Sequence, residues 1–506
     1  MSRCIKPLNI PAAKTIGVLI AAGAALSWPA VWNGFPLIYD GDSIDYLYQG
    51  GPVLRALVLG DFSKHYGSRS LLYGLGIFPF HWRTNAWPVV GLHAALTAYV
   101  LFLVTRSVLS GRSHRAFLMA LGPLCLLSSA SWYVSFVMPD ILGPVLFLSF
   151  YLLAYCWSDL SRTERYALVL ISLWAATSHG SHFLVGAALS VFMLLVLLAQ
   201  RQPIGDAARA SGRLATIIVA AAIVQLAFYS YLFGKPSLFG PQYPFLMVRI
   251  VTDPPGKLYL KHRCATPDLA ICRYVDELPD EPLEFFWADG GVWHRSTPAV
   301  REQLRREGKS IVLGTIRKYP VEQLRVSLRH FRDQLVTFGL DHFARTSRYL
   351  KEQIGRVLNG ERREYLQSRQ VRGNLREDLF SRIHRYLVVA SVIVLIVFLL
   401  FLRRRLTSRL TGLTAVVLFV LTANAAVTGI VSTVAPRLQD RVIWLLPFLA
   451  VLLVMSLLPG GAARNAERTS RIDVTIRNGS GPQRRASGTS TRGPARDYSR
   501  GTRPIR

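Results

Sequence analysis

Apolar residues in this chain come in long blocks rather than in the spaced stripes of a water-soluble protein. Runs of about 17–22 residues recur from one end to the other, the length a helix needs to cross roughly 30 Å of hydrocarbon. The 506 residues are 51% hydrophobic, and the fold class expected is an all-α polytopic membrane protein. Ten spans are read, at about 15–33, 86–105, 116–134, 141–157, 166–178, 183–199, 214–233, 385–402, 410–431 and 442–458. Arg3, Lys6 and Lys14 precede the first run in the manner of a signal peptide. The run is longer than a usual signal core and many spans follow, so an uncleaved first helix is expected.

The formal net charge of +29 does not point to nucleic acid, because no nucleic-acid module is recognisable and the basic residues sit in connections, one long loop and a tail. An N-terminus in the cytoplasm puts four short connections on that side: Arg106/Arg112/Arg115, Arg162/Arg165, Arg201/Arg208/Arg213 and Arg403/Arg404/Arg405/Arg409. All are basic, as cytoplasmic connections tend to be. Both termini are then cytoplasmic, in what is expected to be a bacterial inner or plasma membrane. The chain divides into a seven-span module (1–233) whose first outer loop covers 34–85, an extracytoplasmic and mostly helical loop domain (234–384), a three-span module (385–458) and a basic tail (459–506) rich in Arg, Gly, Ser and Thr that is expected to be disordered. Cys264 and Cys272 share the outer loop, where an oxidising compartment favours a disulfide.

Acidic residues are scarce before residue 159, where the chain has only Asp40, Asp42, Asp45, Asp61 and Asp140. Three of them fall in "YDGDSIDY", just past the first span. The Gly41 between Asp40 and Asp42 permits a tight turn that aims both carboxylates at one point, to bind a divalent cation or to raise one partner's pKa. With that topology, His65, Arg69, the histidines of "TSHGSHF" (His179 and His182) and the Arg437, Asp440 and Arg441 of "VAPRLQDRVIW" lie at the same outer ends. Ionisable groups at membrane depth are costly and mark functional positions. Arg437 and Arg441, one helical turn apart, suit a phosphate clamp; the alternative is an interfacial pair with Asp440 as its partner. His179 and His182 are either metal ligands on one helix face or polar turn residues. Asp140 follows a proline at a helix start, where it would also serve as an N-cap. In the long loop, Val321, Leu324, Leu328, Phe331, Leu335 and Phe338 form one helical stripe with Arg325, Arg329 and Arg332 beside it. That helix lies on a membrane surface or packs within the loop domain.

The acidic first loop, the seven-span module and the long outer loop after span seven together resemble the GT-C superfamily of integral-membrane glycosyltransferases, which includes protein O-mannosyltransferases and lipid A aminoarabinose transferases. The resemblance is architectural and reaches to about residue 458. It implies a polyprenyl-phosphate-linked sugar as donor and a lipid, glycan, glycolipid or protein as acceptor. It also implies a general-base or acceptor-orienting role for Asp40 or Asp42, with Asp140 as the second acid. Arg437 and Arg441 would bind the donor phosphate, and Asp45, His65, Arg69, His179 and His182 would support them. A divalent cation is a possible cofactor, with Asp40 and Asp42 as its ligands. The Cys264/Cys272 pair and "DELPDEPLEFFW" depart from the family pattern, so no subfamily follows. Rival functions are a surface-polysaccharide polymerase or ligase, which leans on outer arginines and histidines, and a non-catalytic membrane protein. A secondary transporter is disfavoured by the seven-and-three split of spans, and an ATP-driven pump by the lack of a P-loop.

Overall fold

A computed structural model of the chain describes residues 12–63, 69–109, 114–240, 243–266 and 268–458. His65, Cys4 and the basic tail lie outside them. The described residues are all-α, and the nearest thing to a sheet is one parallel bridge between Leu37 and Phe136. Before the long loop come α1 (Ala12–Leu26), α2 (Trp28–Asn33), α3 (Asp42–Leu59), α4 (Leu71–His81), α5 (Trp87–Val108), α6 (His114–Leu127), α7 (Ala130–Val134), α8 (Leu142–Tyr155), α9 (Arg162–Ser178), α10 (Gly180–Ala199) and α11 (Ile204–Phe233). The loop holds α12 (Phe245–Thr252), α13 (Pro254–Arg263), α14 (Pro282–Trp287), α15 (Val292–Arg295), α16 (Pro298–Lys318), α17 (Pro320–Val336), α18 (Arg348–Val357), α19 (Arg362–Gln367) and α20 (Arg369–Arg372). The chain closes with α21 (Glu377–Phe401), α22 (Ser408–Val431), α23 (Pro436–Ile443) and α24 (Leu445–Leu457).

Six of these stretches are long and apolar enough to cross a membrane: Trp87–Val108, Gly180–Ala199, Ile204–Phe233, Glu377–Phe401, Ser408–Val431 and Pro436–Leu457. The other four expected spans are short or broken, the fifth being α9 with 17 residues. The first stops at Leu26 and restarts at Trp28, where Ser27 Oγ bonds back to the Gly23 carbonyl and Pro29 cannot continue a hydrogen-bond ladder. The third is split at Ser128 and Ser129 between α6 and α7, and the fourth starts only after a 3₁₀ turn at Pro139–Ile141. The fifth, α9, is set by a capping box in which Ser161 and Glu164 satisfy each other's backbone donors. An apolar helix that the sequence did not announce, α4, lies between α3 and α5 and packs against α3.

The basic connections gather at one end of the bundle. Arg106 forms a two-pronged pair with Glu164 at 2.7 and 3.0 Å. Arg409 pairs with Asp159 at 2.5 Å and donates to the Ser107 carbonyl at 2.8 Å. Arg213 lies 4.2 Å from the centroid of the Trp157 ring. The segments that the threading assigns to one side therefore meet at one end.

The long loop has two parts. Residues 247–312 bury their own core around Phe285, Phe286, Trp293 and Leu304, and the Cys264–Cys272 disulfide is present with its Cα atoms 5.4 Å apart. Residues 340–375, with Phe343, Leu350, Ile354 and Tyr365, bury their apolar groups in the same core as the spans. Residue Gln370 fastens this second part down: its side chain donates to the carbonyls of Ile38 and Phe343 and accepts from Ile38 N–H, while its backbone N–H donates to Asn33.

Helices α3 and α4 approach closely because each carries a glycine at the contact. A Cβ on Gly50 would lie 2.5 Å from the Gly74 carbonyl oxygen and 2.7 Å from Phe78 Cβ. Gly50→Val is therefore expected to destabilise the fold by on the order of 1–3 kcal/mol through overpacking. Thermal unfolding of the detergent-purified protein reads this, and an unchanged midpoint would mean that the pair is not close-packed.

Candidate functional site

The end of the bundle opposite the arginine-rich connections holds the site. Two extended segments meet there: Leu37 N–H donates to the Ser135 carbonyl at 2.9 Å, and Val137 N–H to the Leu37 carbonyl at 3.0 Å. Ser43 Oγ adds a bond to the Val137 carbonyl at 3.0 Å. This pairing sets the first acidic loop beside the turn that carries Asp140. Gly41, at φ 73°, then turns the chain into α3, so that the two acids flanking it take different partners.

Asp42 is shared. One carboxylate oxygen is held by Arg69 and the other by Arg437 Nη1 at 3.2 Å. Asp40 instead accepts a 2.6 Å hydrogen bond from Ser347 Oγ, the N-cap of α18. The sequence expectation that Asp40 and Asp42 aim at one point is thus corrected: the first braces the loop and the second neutralises two arginines. A divalent cation on Asp42 would have to displace both guanidiniums. Among the described residues no group of three His, Cys, Asp or Glu side chains is placed to hold a metal ion.

Arg437 also lies 4.3 Å from the centroid of the Tyr39 ring, and its carbonyl accepts from the Tyr133 hydroxyl at 2.7 Å. Arg69 stands over Tyr243 and Trp287, 5.8 Å from each ring centroid, so the departing motif "DELPDEPLEFFW" ends against the site. Burial works against the charge on Arg69, but Asp42 more than offsets it and lifts the guanidinium above its ordinary pKa.

One turn along α23, Arg441 is 1% exposed and Asp140 2%. They sit 3.6 Å apart. The Arg441 guanidinium also donates to Ser181 Oγ at 2.8 Å and to Asn424 Oδ1 at 2.8 Å. Ser181 Oγ is in turn 2.7 Å from His179 Nδ1. His182 points elsewhere, its Nδ1 lying 3.2 Å from the Ala175 carbonyl. The two histidines do not converge on one point as metal ligands would. Asp440 is no partner of the arginines either; it pairs with His384 of α21 at 3.0 Å.

Asp45 differs from the other four acids of this end, Asp40, Asp42, Asp140 and Asp440. It lies in the first turn of α3, and among the described residues its carboxylate accepts no side-chain hydrogen bond. Burial pushes its pKa up to about 6, with Arg69 pulling it down and Asp42 pushing it up. Of the residues singled out in the sequence, the structure brings together Asp42, Arg69, Asp140, Arg437, Arg441 and His179, with Asp40 and Asp45 at the edge. Sequence reasoning missed Ser347, Asn424, Ser181 and Tyr39. All are neutral side chains with no spacing signal, and only their contacts reveal them.

No family model, curated protein or solved structure matches this chain.

Removing one partner of a buried ion pair strands the other charge, at a typical cost of about 3–5 kcal/mol. Arg441→Met is expected to fall in that range because Asp140 then loses its ion-paired guanidinium. Adding Asp140→Asn should recover much of the loss. The four proteins of this cycle, compared by thermal unfolding, would show simple additivity if the pair does not interact.

Proposed function

We propose that this chain is a membrane glycosyltransferase that moves a sugar from a polyprenyl-phosphate donor to an acceptor hydroxyl on the outer face of a ten-span bundle of GT-C type. The observation that carries this reading is the convergence of Asp42, Arg69 and Asp140 from the N-terminal module with Arg437 and Arg441 from near the C-terminus. Three guanidiniums face the two ion-paired carboxylates there, so one positive charge is unmatched whenever Asp45 is protonated. A phosphate at the mouth of this network would take up that charge and compete with Asp42 for Arg69 and Arg437, in bonds of the strongest kind. The same two arginines stabilise the phosphate as it departs from the anomeric carbon.

The base in this scheme is Asp45. It takes the proton of the acceptor hydroxyl as that oxygen bonds to the anomeric carbon and the polyprenyl phosphate leaves. A carboxylate engaged by two guanidiniums, as Asp42 is, is a poorer base than one without a hydrogen-bonded partner. Asp40 acts through Ser347 and holds α18 over the site. Asp140 positions Arg441. The rival polymerase or ligase reading draws on the Arg441–Ser181–His179 chain, and would make His179 rather than Asp45 the group on which transfer depends.

The test is mass spectrometry of surface glycolipids, glycans and glycoproteins from a deletion strain, complemented with wild type, Asp45→Asn or His179→Gln. One sugar decoration should vanish on deletion and return with wild type and His179→Gln. It should stay at least about a hundredfold down with Asp45→Asn, the usual worth of a general base. Return with Asp45→Asn but not with His179→Gln would move the polymerase reading ahead, and an unaltered glycan profile on deletion would end both.

The pH dependence follows from the raised pKa. Below about 6 the Asp45 carboxyl is protonated and cannot accept a proton; above it the carboxylate is available. Transfer by isolated membranes should therefore fall on the acid side with a midpoint near 6. An acid limb close to 4, the ordinary aspartate value of about 3.9, would assign the base to another carboxylate.

A further inference from the structure

Helix α17 is built inside out for a helix in water. Its packed face carries Gln323, His330 and Gln334. Gln334 is fully buried, and its amide bonds both the carbonyl and the N–H of Ala435. His330 bonds Asp253 of the loop domain at 2.8 Å, and its backbone crosses α22 at Gly429, where a Cβ would lie 2.6 Å from the His330 carbonyl oxygen. On the opposite face, Val321, Leu324 and Leu328 are 61%, 59% and 54% exposed. By helical periodicity Leu335 continues this row, and Arg325, Arg329 and Arg332 line one border of it. In water the two faces would be exchanged, because exposed leucine rows are costly and polar side chains prefer solvent.

We infer that α17 is embedded in the outer leaflet of the bilayer, with lipid acyl chains against Val321, Leu324 and Leu328 and anionic headgroups at Arg325, Arg329 and Arg332. Two observations select lipid over a protein partner. The helix packs along α22, one of the helices apolar enough to span, so its bare face continues a surface that already meets hydrocarbon. The cations lie at the border of the apolar row rather than within it, where their stems can reach the headgroups. The sequence left open whether this stripe packs inside the loop domain; the structure turns Val321, Leu324 and Leu328 outward, leaves Phe331 and Leu335 half-buried and packs Phe338 against the core of the spans.

The inference is independent of glycosyl transfer and is tested without it. The full chain is reconstituted in vesicles of phosphatidylcholine with phosphatidylglycerol, carrying a nitroxide on Leu324→Cys, Leu328→Cys or, as an aqueous control, the exposed Ser310→Cys of α16. Collision with oxygen, which concentrates in hydrocarbon, should exceed collision with a water-soluble nickel chelate several-fold more at 324 and 328 than at 310. A ratio at 324 and 328 equal to that at 310 would place the face in water and overturn the inference. Low collision with both reagents would mean that protein covers it, which overturns it as well. Replacing Arg325, Arg329 and Arg332 together by Gln should lower the phosphatidylglycerol that copurifies with the protein; unchanged lipid content would remove the headgroup half of the inference.

Discussion

Asp42 holds the two halves of this molecule to a common geometry. Its carboxylate touches both Arg69, in the first loop, and Arg437, which lies 395 positions beyond Asp42 along the chain. Without it Arg69 would lose its ion-pair partner and Arg437 would be left to the field of Asp140, and burial of an unpaired charge costs several kcal/mol. The ion pairs thus add to an apolar core that α23 and α3 already share through Val442, Ile443, Ile44 and Leu47. The extended pairing of Leu37 with Ser135 and Val137 and the glycine contact of α3 with α4 then fix where that carboxylate stands.

Such a centre is only tolerable if it is finished elsewhere. Arg441 has Asp140, Ser181 and Asn424; Asp440 has His384; Asp40 has Ser347. Each partner comes from a different stretch of chain, so the site doubles as the clamp that gathers the N-terminal spans, the second part of the long loop and the last two spans. A ligand anion that drew Arg69 and Arg437 toward itself would loosen the same clamp. Binding and local conformation are coupled here by the charges themselves.

How much of this was legible in the sequence depended on the range of the interaction. Apolar run length reports on the membrane directly, and the long helices α5, α10, α11, α21 and α22 lie where the runs do. The breaks at Ser27 and at Ser128–Ser129 were hidden because proline and serine pairs are tolerated in spans when neighbours satisfy the freed backbone groups. One-sided clustering of charge marked Asp42, Arg69, Asp140, Arg437 and Arg441 as a group. It could not say who pairs with whom, since Asp40 and Asp42 differ only in which side of Gly41 they stand on. Asp440 was assigned to its nearest arginines on spacing, and its real partner, His384, is distant in sequence. The split of the long loop into a self-contained core and a part shared with the spans was invisible, because both parts have the composition of ordinary amphipathic helices.

The location of charge also explains how a chain of net charge +29 keeps so few acids. At the arginine-rich end Glu164 and Asp159 pin connections together through Arg106 and Arg409. At the other end every acid among Asp40, Asp42, Asp140 and Asp440 is committed to a named partner. Asp45 alone stands within the same field without one, held partly protonated near neutrality by burial. A carboxylate of that kind adds nothing to the clamp, and its desolvation opposes folding whenever it is ionised. Set against that cost, the ionised carboxylate in the first turn of α3 gains the helix dipole and the attraction of Arg69, and burial outweighs both.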